Sequence, residues 1–130
     1  MTREKFIKVL DREGYSYRVE GNKIVVTSIF KGTVDLRSLK SLPLDVVFRN
    51  GGHVNLDSLT SIPPGMVFKN GWSVNLDSLT SIPPGVEFRN GGDVGLNSII
   101  GGDFNEWKGN IEGVTSKMLL NLMIKRGMFI

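Results

Sequence analysis

A 20-residue unit runs three times in succession from Val34 and begins a fourth time at Val94. Residues Val34–His53 read VDLRSLKSLPLDVVFRNGGH, Val54–Ser73 VNLDSLTSIPPGMVFKNGWS and Val74–Asp93 VNLDSLTSIPPGVEFRNGGD. The second and third units agree at 15 of 20 positions, differing only at Met66/Val86, Val67/Glu87, Lys69/Arg89, Trp72/Gly92 and Ser73/Asp93. Val34, Val54, Val74 and Val94 follow one another without insertion, so each unit is one structural step of a stack.

Six columns stay apolar through the repeats: Val34/Val54/Val74/Val94, Leu36/Leu56/Leu76/Leu96, Leu39/Leu59/Leu79/Ile99, Leu42/Ile62/Ile82, Val46/Met66/Val86 and Phe48/Phe68/Phe88. Val-x-Leu and the segment around Phe48 alternate apolar with polar, the period of a strand. Glu87 stands where Val47 and Val67 stand, so that position faces outward. Corners follow from punctuation. All five prolines (Pro43, Pro63, Pro64, Pro83, Pro84) fall at one corner, followed by Gly65 and Gly85. Asn50-Gly51-Gly52, Asn70-Gly71 and Asn90-Gly91-Gly92 mark the opposite corner, where Asn or Gly can supply positive φ. Two short strands and two corners per unit imply a mainly β chain, a short single-chain parallel β-solenoid with coils ~4.8 Å apart. Its phenylalanines would stack in one column. The residues alone are compatible with a two-sided, four-sided or horseshoe-like cross-section.

A stack of strands has two open edges, and the flanking segments read as covers for them. Thr2–Glu13 predicts a helix with Thr2 as N-cap, Phe6, Ile7, Val9 and Leu10 as its apolar set and Gly14 just past its end. Tyr15, Tyr17 and Val19 lead to Glu20-Gly21-Asn22, and Ile24 and Val26 return, predicting a β-hairpin. Residues 1–33 thus form an N-terminal helix and hairpin cap, 34–101 the solenoid and 102–130 a C-terminal helical cap, all one folding unit. In the last segment Asp103–Trp107 suggests a helical turn. A helix from Thr115 or Ser116 to Arg126 carries Met118, Leu119, Leu120, Leu122, Met123 and Ile124.

Leu59-Thr-Ser-Ile62-Pro and Leu79-Thr-Ser-Ile82-Pro are similar to the L-x-x-L-P signature of short bacterial leucine-rich repeats, and Val-x-Leu resembles their strand. The Asn that usually follows that strand is missing. Repeats of this kind, over roughly residues 34–101, also resemble those of uncharacterised proteins from phages and their bacterial hosts. The resemblance implies an interaction scaffold rather than a chemistry, and, for a phage protein, an inhibitor of a host defence complex in the manner of anti-CRISPR proteins.

Composition bounds what the chain can do. It has 130 residues and no cysteine, which excludes disulfide scaffolds, thiolate zinc sites and cysteine nucleophiles. No secretory h-region and no run of ~18 apolar residues occurs, implying a cytoplasmic protein (the host cytoplasm if phage-encoded) with no membrane partner. The sole histidine, His53, shares its column with Ser73 and Asp93, so no Ser/His/Asp arrangement can be built. Asp57 and Asp77 share a column and would lie about 5 Å apart, near the spacing of a retaining glycosidase pair or of a shared hard cation. Two solvated aspartates on an outer face is the plainer reading. The chain is therefore read as non-enzymatic, with no cofactor and no metal.

Binding fits the residues better. Arg49, Lys69 and Arg89 form a basic ladder beside the Asn-Gly corner, and Trp72 replaces the glycine of its neighbours Gly52 and Gly92. With His53 they make a basic-aromatic stripe of residue types found in binding hot spots. The bland alternative is a solvated charge ladder with a tryptophan resting on turn backbone. Net charge is +3 and pI about 9.3, but residues 34–101 carry 5 Lys/Arg against 6 Asp/Glu. Nucleic-acid grooves concentrate basic charge, which this solenoid does not. The expected partner is a protein. A nucleic acid held by the same stripe is the alternative, and a structural homo-oligomer built through the C-terminal helix is a third. The expected state is a monomer or weak homo-oligomer.

Overall fold

The computed structural model describes residues 1–28, 32–83, 85–98 and the backbone of 111–112. Helix α1 spans Arg3–Glu13. Thr2 is extended (φ −79°, ψ 159°) and its Oγ accepts the Lys5 N–H at 3.2 Å. Gly14 takes φ 76°, and the Gly14 and Tyr15 N–H groups donate to the carbonyls of Asp11 and Leu10, closing the helix with a Schellman motif. Phe6, Val9 and Leu10 are the buried face. The hairpin follows: β1 (Tyr17–Glu20) pairs antiparallel with β2 (Lys23–Val26), turning at Gly21 with φ 60°.

Each subsequent coil contributes one strand to each of two sheets. β3 (Val34–Asp35), β5 (Val54–Asn55), β7 (Val74–Asn75) and β9 (Val94–Gly95) form a four-stranded parallel sheet. β4 (Val46–Phe48), β6 (Val67–Phe68), β8 (Val86–Phe88) and β10 (Ile111–Glu112) extend the hairpin into a six-stranded sheet ordered β1-β2-β4-β6-β8-β10. Val34 pairs with Val54, Val54 with Val74 and Val74 with Val94, so the register equals the sequence period. This is a two-sheeted parallel β-solenoid of about three turns.

The predicted apolar columns form its core. Phe48, Phe68 and Phe88 stack with centroids 5.5 and 5.2 Å apart and planes within 7° of parallel. All three are buried, as are Val34, Leu36, Val46, Val54, Leu56, Leu59, Met66, Val74, Leu76, Leu79 and Val86. The outward column is confirmed in part. Glu87 and Val67 are half-buried, but Val47, paired with the buried Val25 of the hairpin, is itself buried.

The two ends are joined at offsets that break the period. Ile24 pairs with Val46, 22 residues on, and Val86 with Ile111, 25 residues on. Tyr15 does not lie in β1. Its hydroxyl accepts the Asp35 N–H at 2.9 Å and donates to the Asp35 carbonyl at 3.3 Å, covering the outer edge of β3 with one phenol. β10 places a strand in the segment expected to be helical. The helices predicted at Asp103–Trp107 and from residue 115 or 116 to 126 lie outside the described residues.

One expectation about the corners is corrected. Positive φ falls instead at the proline corner, on Gly65 and Gly85 (75° and 77°), with Asp45 (φ 62°) in their place in the first coil. The glycines of the Asn-Gly corner do not adopt it. Their requirement is proximity: a Cβ on Gly71 would lie 2.4 Å from the Gly51 carbonyl oxygen, and one on Gly91 2.2 Å from that of Gly71. Stacked corners bring backbone against backbone, and only hydrogen fits between.

Candidate functional site

Arg49, Lys69 and Arg89 leave the six-stranded sheet where the chain enters the Asn-Gly corner. Their N–H groups donate to the carbonyls of Val26, Phe48 and Phe68 at 2.8, 2.6 and 2.8 Å, which sets the three side chains on successive rungs, each exposed. The ladder is not uniform. Arg89 Nε lies 3.3 Å from Glu87 Oε2, because the third coil carries an acid where the first two carry valine. Among the described residues no ion pair engages Arg49 or Lys69.

Trp72 lies at the other side of the same corner and is 60% exposed, the most exposed large hydrophobic side chain among the described residues. Its ring sits against His53 of the preceding coil, centroids 5.9 Å apart and planes at 40°. His53 Nδ1 accepts the Ser73 N–H at 3.3 Å, which leaves the proton of the neutral imidazole on Nε2. The structure therefore joins His53 to Trp72 and aligns the three basic residues. It does not weld the two groups together: among the described residues no cation–π contact links Trp72 to Arg49, Lys69 or Arg89.

The ladder bonds at Trp72 are longer than their counterpart in the first coil: Trp72 N to Gly52 O and Gly92 N to Trp72 O measure 3.3 and 3.2 Å, against 2.8 Å for Gly52 N to Gly32 O. A Cβ on Gly52 would meet the Gly32 carbonyl carbon at 2.7 Å, and one on Gly92 would meet the Ser73 nitrogen at 2.9 Å. The column is built for glycine, and the tryptophan is the departure.

Beneath these side chains runs an asparagine ladder that the sequence pattern contains but whose role it does not reveal. Asn70 Nδ2 donates to the carbonyls of Gly52, Trp72 and Ser73 at 3.0, 3.1 and 3.1 Å. Asn50 Nδ2 does the same to Gly32 and His53 at 2.7 and 3.0 Å, and Asn90 Nδ2 to Trp72, Gly92 and Asp93 at 3.1, 2.9 and 3.3 Å. Each amide thus staples its own corner to the one before. The identical placement of Asn50, Asn70 and Asn90 was the available signal; it reports hydrogen bonding rather than the left-handed backbone it suggests. Among the described residues no hydrogen-bond partner reaches the buried Oδ1 atoms of the three.

The Asp57/Asp77 pair has a structural explanation on Asp77. Asn55 and Asn75 Oδ1 accept the N–H two residues on, from Asp57 and Asp77 at 3.1 and 3.0 Å. Gly95 has no side chain to do this, and Asp77 Oδ1 reaches up to accept the Asn97 N–H at 3.2 Å instead. A Cβ on Gly95 would lie 2.7 Å from that oxygen. Among the described residues no group of three or more His, Asp or Glu side chains is gathered for a metal, and no helix is long and apolar enough to cross a membrane. In the first coil Asp35 accepts from Arg37, which holds its carboxyl below the usual aspartate range.

An open cleft of about 570 Å³ lies between the start of α1 (Met1, Arg3) and the proline corner of the first coil (Leu42, Pro43, Leu44). Nothing in the sequence pattern marks it. Comparison of the chain with protein families, curated proteins and solved structures found no match.

Proposed function

We propose that the Asn-Gly corner is a protein-binding surface and that the chain is a non-enzymatic interaction scaffold. The carrying observation is Trp72: a large ring in a glycine column, 60% exposed and resting on His53. An indole this exposed contributes little to folding and much to a desolvated interface. Trp72 is the anchor of this reading, His53 its support, and Arg49 and Lys69 the polar rim; Arg89, paired with Glu87, is the weakest member of the stripe. The asparagine ladder pre-organises the surface, so little conformational entropy is lost on binding. The leucine-rich and phage-type resemblance supports a more specific partner class, a host defence complex in a bacterial cytoplasm.

The test is affinity purification from bacterial lysate followed by titration of the purified partner. Trp72→Ala should weaken binding at least tenfold, a loss of about 1.4 kcal/mol or more. An unchanged Kd in Trp72→Ala combined with Lys69→Glu would refute the site. A second reading, single-stranded nucleic acid stacked on Trp72, is favoured by Arg49 and Lys69, without an ion pair among the described residues, at the same corner as an exposed ring. It requires affinity to fall with salt at a logarithmic slope of about −1.4 for two phosphate contacts. A slope near zero leaves the protein reading standing.

A further inference from the structure

The three Asn-Gly pairs that build the corner are also the sequence at which asparagine side chains most readily cyclise, since glycine leaves the attacking nitrogen unobstructed. We propose that Asn90–Gly91 is a site of spontaneous deamidation, and that the stacked coils hold Asn50–Gly51 and Asn70–Gly71 closed against the same reaction. Base removes the Gly91 amide proton, and the nitrogen lone pair forms a bond to Asn90 Cγ. The Cγ–Nδ2 bond breaks and ammonia leaves. Water then opens the succinimide at either carbonyl, yielding aspartate or isoaspartate.

The leaving amide is restrained at all three pairs, and the attacking nitrogen at two of them. The attacking nitrogens of Gly71 and Gly91 donate to the carbonyls of Asn50 and Asn70 at 2.9 and 3.0 Å. The leaving Nδ2 of Asn70 is held by three carbonyls, so Cγ cannot turn toward the main-chain nitrogen until the corner opens. Asn50 and Asn70 are 1% exposed, and each accepts on its backbone oxygen a hydrogen bond from the next corner, which seals it. Asn90 carries the same three-carbonyl clamp but is only half-buried. Opening costs less there than within the stack.

The product is not silent. An aspartate at position 90 replaces the Nδ2 donor by an oxygen facing the carbonyls of Trp72, Gly92 and Asp93, three acceptors with no proton between them. Isoaspartate adds a main-chain methylene and shifts the register after it. Either change removes one of the three hydrogen bonds that the Trp72 carbonyl accepts, from Asn70 Nδ2, Gly92 N–H and Asn90 Nδ2, so the modification acts on the corner whether or not that corner binds a protein.

Trypsin cuts after Arg49, Lys69 and Arg89, which puts each Asn-Gly pair at the start of its own peptide. The full-length protein is held folded at mildly alkaline pH and sampled by mass spectrometry, alongside a sample in denaturant. Conversion at Asn90 at least about tenfold faster than at Asn50 and Asn70 in the folded sample, with similar rates at all three in denaturant, is the expected result. Equal rates in the folded protein overturn the proposal. So does an Asn90 that remains fastest in denaturant, because the difference would then owe nothing to the coils.

Discussion

Gly71→Ala puts the close approach of the corners to a direct test. The added Cβ would sit 2.4 Å from the Gly51 oxygen, whereas ordinary contact begins at 3.4 Å, so the corners must part by 3.4 − 2.4 = 1.0 Å. The Gly71 N to Asn50 O bond, 2.9 Å long, then opens to about 3.9 Å, beyond hydrogen-bond range. The neighbouring Trp72 N to Gly52 O bond starts at 3.3 Å and has no slack. The donors are exposed but the accepting residues, Asn50 and Gly52, are buried, and losing these bonds costs about 2–4 kcal/mol. Without the clash the substitution would instead stabilise by about 0.4–1 kcal/mol, because Gly71 lacks left-handed φ and alanine lowers the entropy of the unfolded chain. The two outcomes differ in sign. Thermal melting should show Tm falling by roughly 8–15 °C, and the exposed Ser61→Ala in the same coil should stay within about 0.5 kcal/mol of wild type. Gly71→Asn separates the remaining explanation, since asparagine tolerates left-handed φ but is bulkier than alanine. If Gly71→Asn is milder than Gly71→Ala, or if Gly71→Ala does not destabilise, close approach is not the reason for glycine here.

Four further outcomes follow from the same geometry. Asn70→Ala removes three hydrogen bonds and should cost about 2–3 kcal/mol in urea unfolding, with Asn70→Asp costing more because it sets a carboxylate against three carbonyl oxygens; the reverse order would refute the staple. Phe48→Leu and Phe68→Leu should show a coupling of about 0.5–1.5 kcal/mol in a double-mutant cycle, reflecting the stacked pair at 5.5 Å, and strict additivity would count against it. Trp72→Gly should shift stability by no more than about 1 kcal/mol, since the residue is already 60% exposed, whereas Phe68→Ala should lose about 3–5 kcal/mol. Asp35 should titrate below an ordinary aspartate by NMR and move back toward it in Arg37→Ala; its contribution to stability is present above the unfolded pKa and is lost as pH falls through the lower folded value.

The architecture was readable because a repeat multiplies weak signals. A single Val-x-Leu or a single phenylalanine means little, but three in register specify strand, face and core together, and Val34–Val54–Val74–Val94 pair as their spacing requires. The Gly65 and Gly85 corner was readable as a corner from its prolines, but not as the place of the left-handed backbone, which the pattern assigns to the Asn-Gly corner instead. The Asn-Gly corner misled because two different needs select the same residues. Left-handed backbone and close contact between chains both call for glycine, and only the stacking distance tells them apart. The ends were less legible: the 22- and 25-residue offsets that attach β2 and β10 have no repeat to average over, and the Tyr15 cap on Asp35 joins residues 20 apart with no shared motif.

The candidate site was legible as residues and not as charges. Arg49, Lys69 and Arg89 look equivalent in the repeat, yet Glu87 neutralises only the last, so the surface has a polarity that the column of basic residues conceals. The same logic applies along the whole stack. Where coils are nearly identical, folding constrains every shared position equally, and a departure marks either an end of the stack or a demand from outside it. Gly95 is a departure of the first kind: Asp77 takes over the hydrogen bond that the missing side chain would have made. Glu87 reaches only Arg89 and changes local charge. Trp72 has no such internal account among the described residues: its ring meets His53, the two ladder bonds through its backbone are 3.3 and 3.2 Å long, and the residue is 60% exposed. A side chain that the fold accommodates without using is the place to look for a partner, which is why the protein-binding reading rests on Trp72 first and on the basic ladder second.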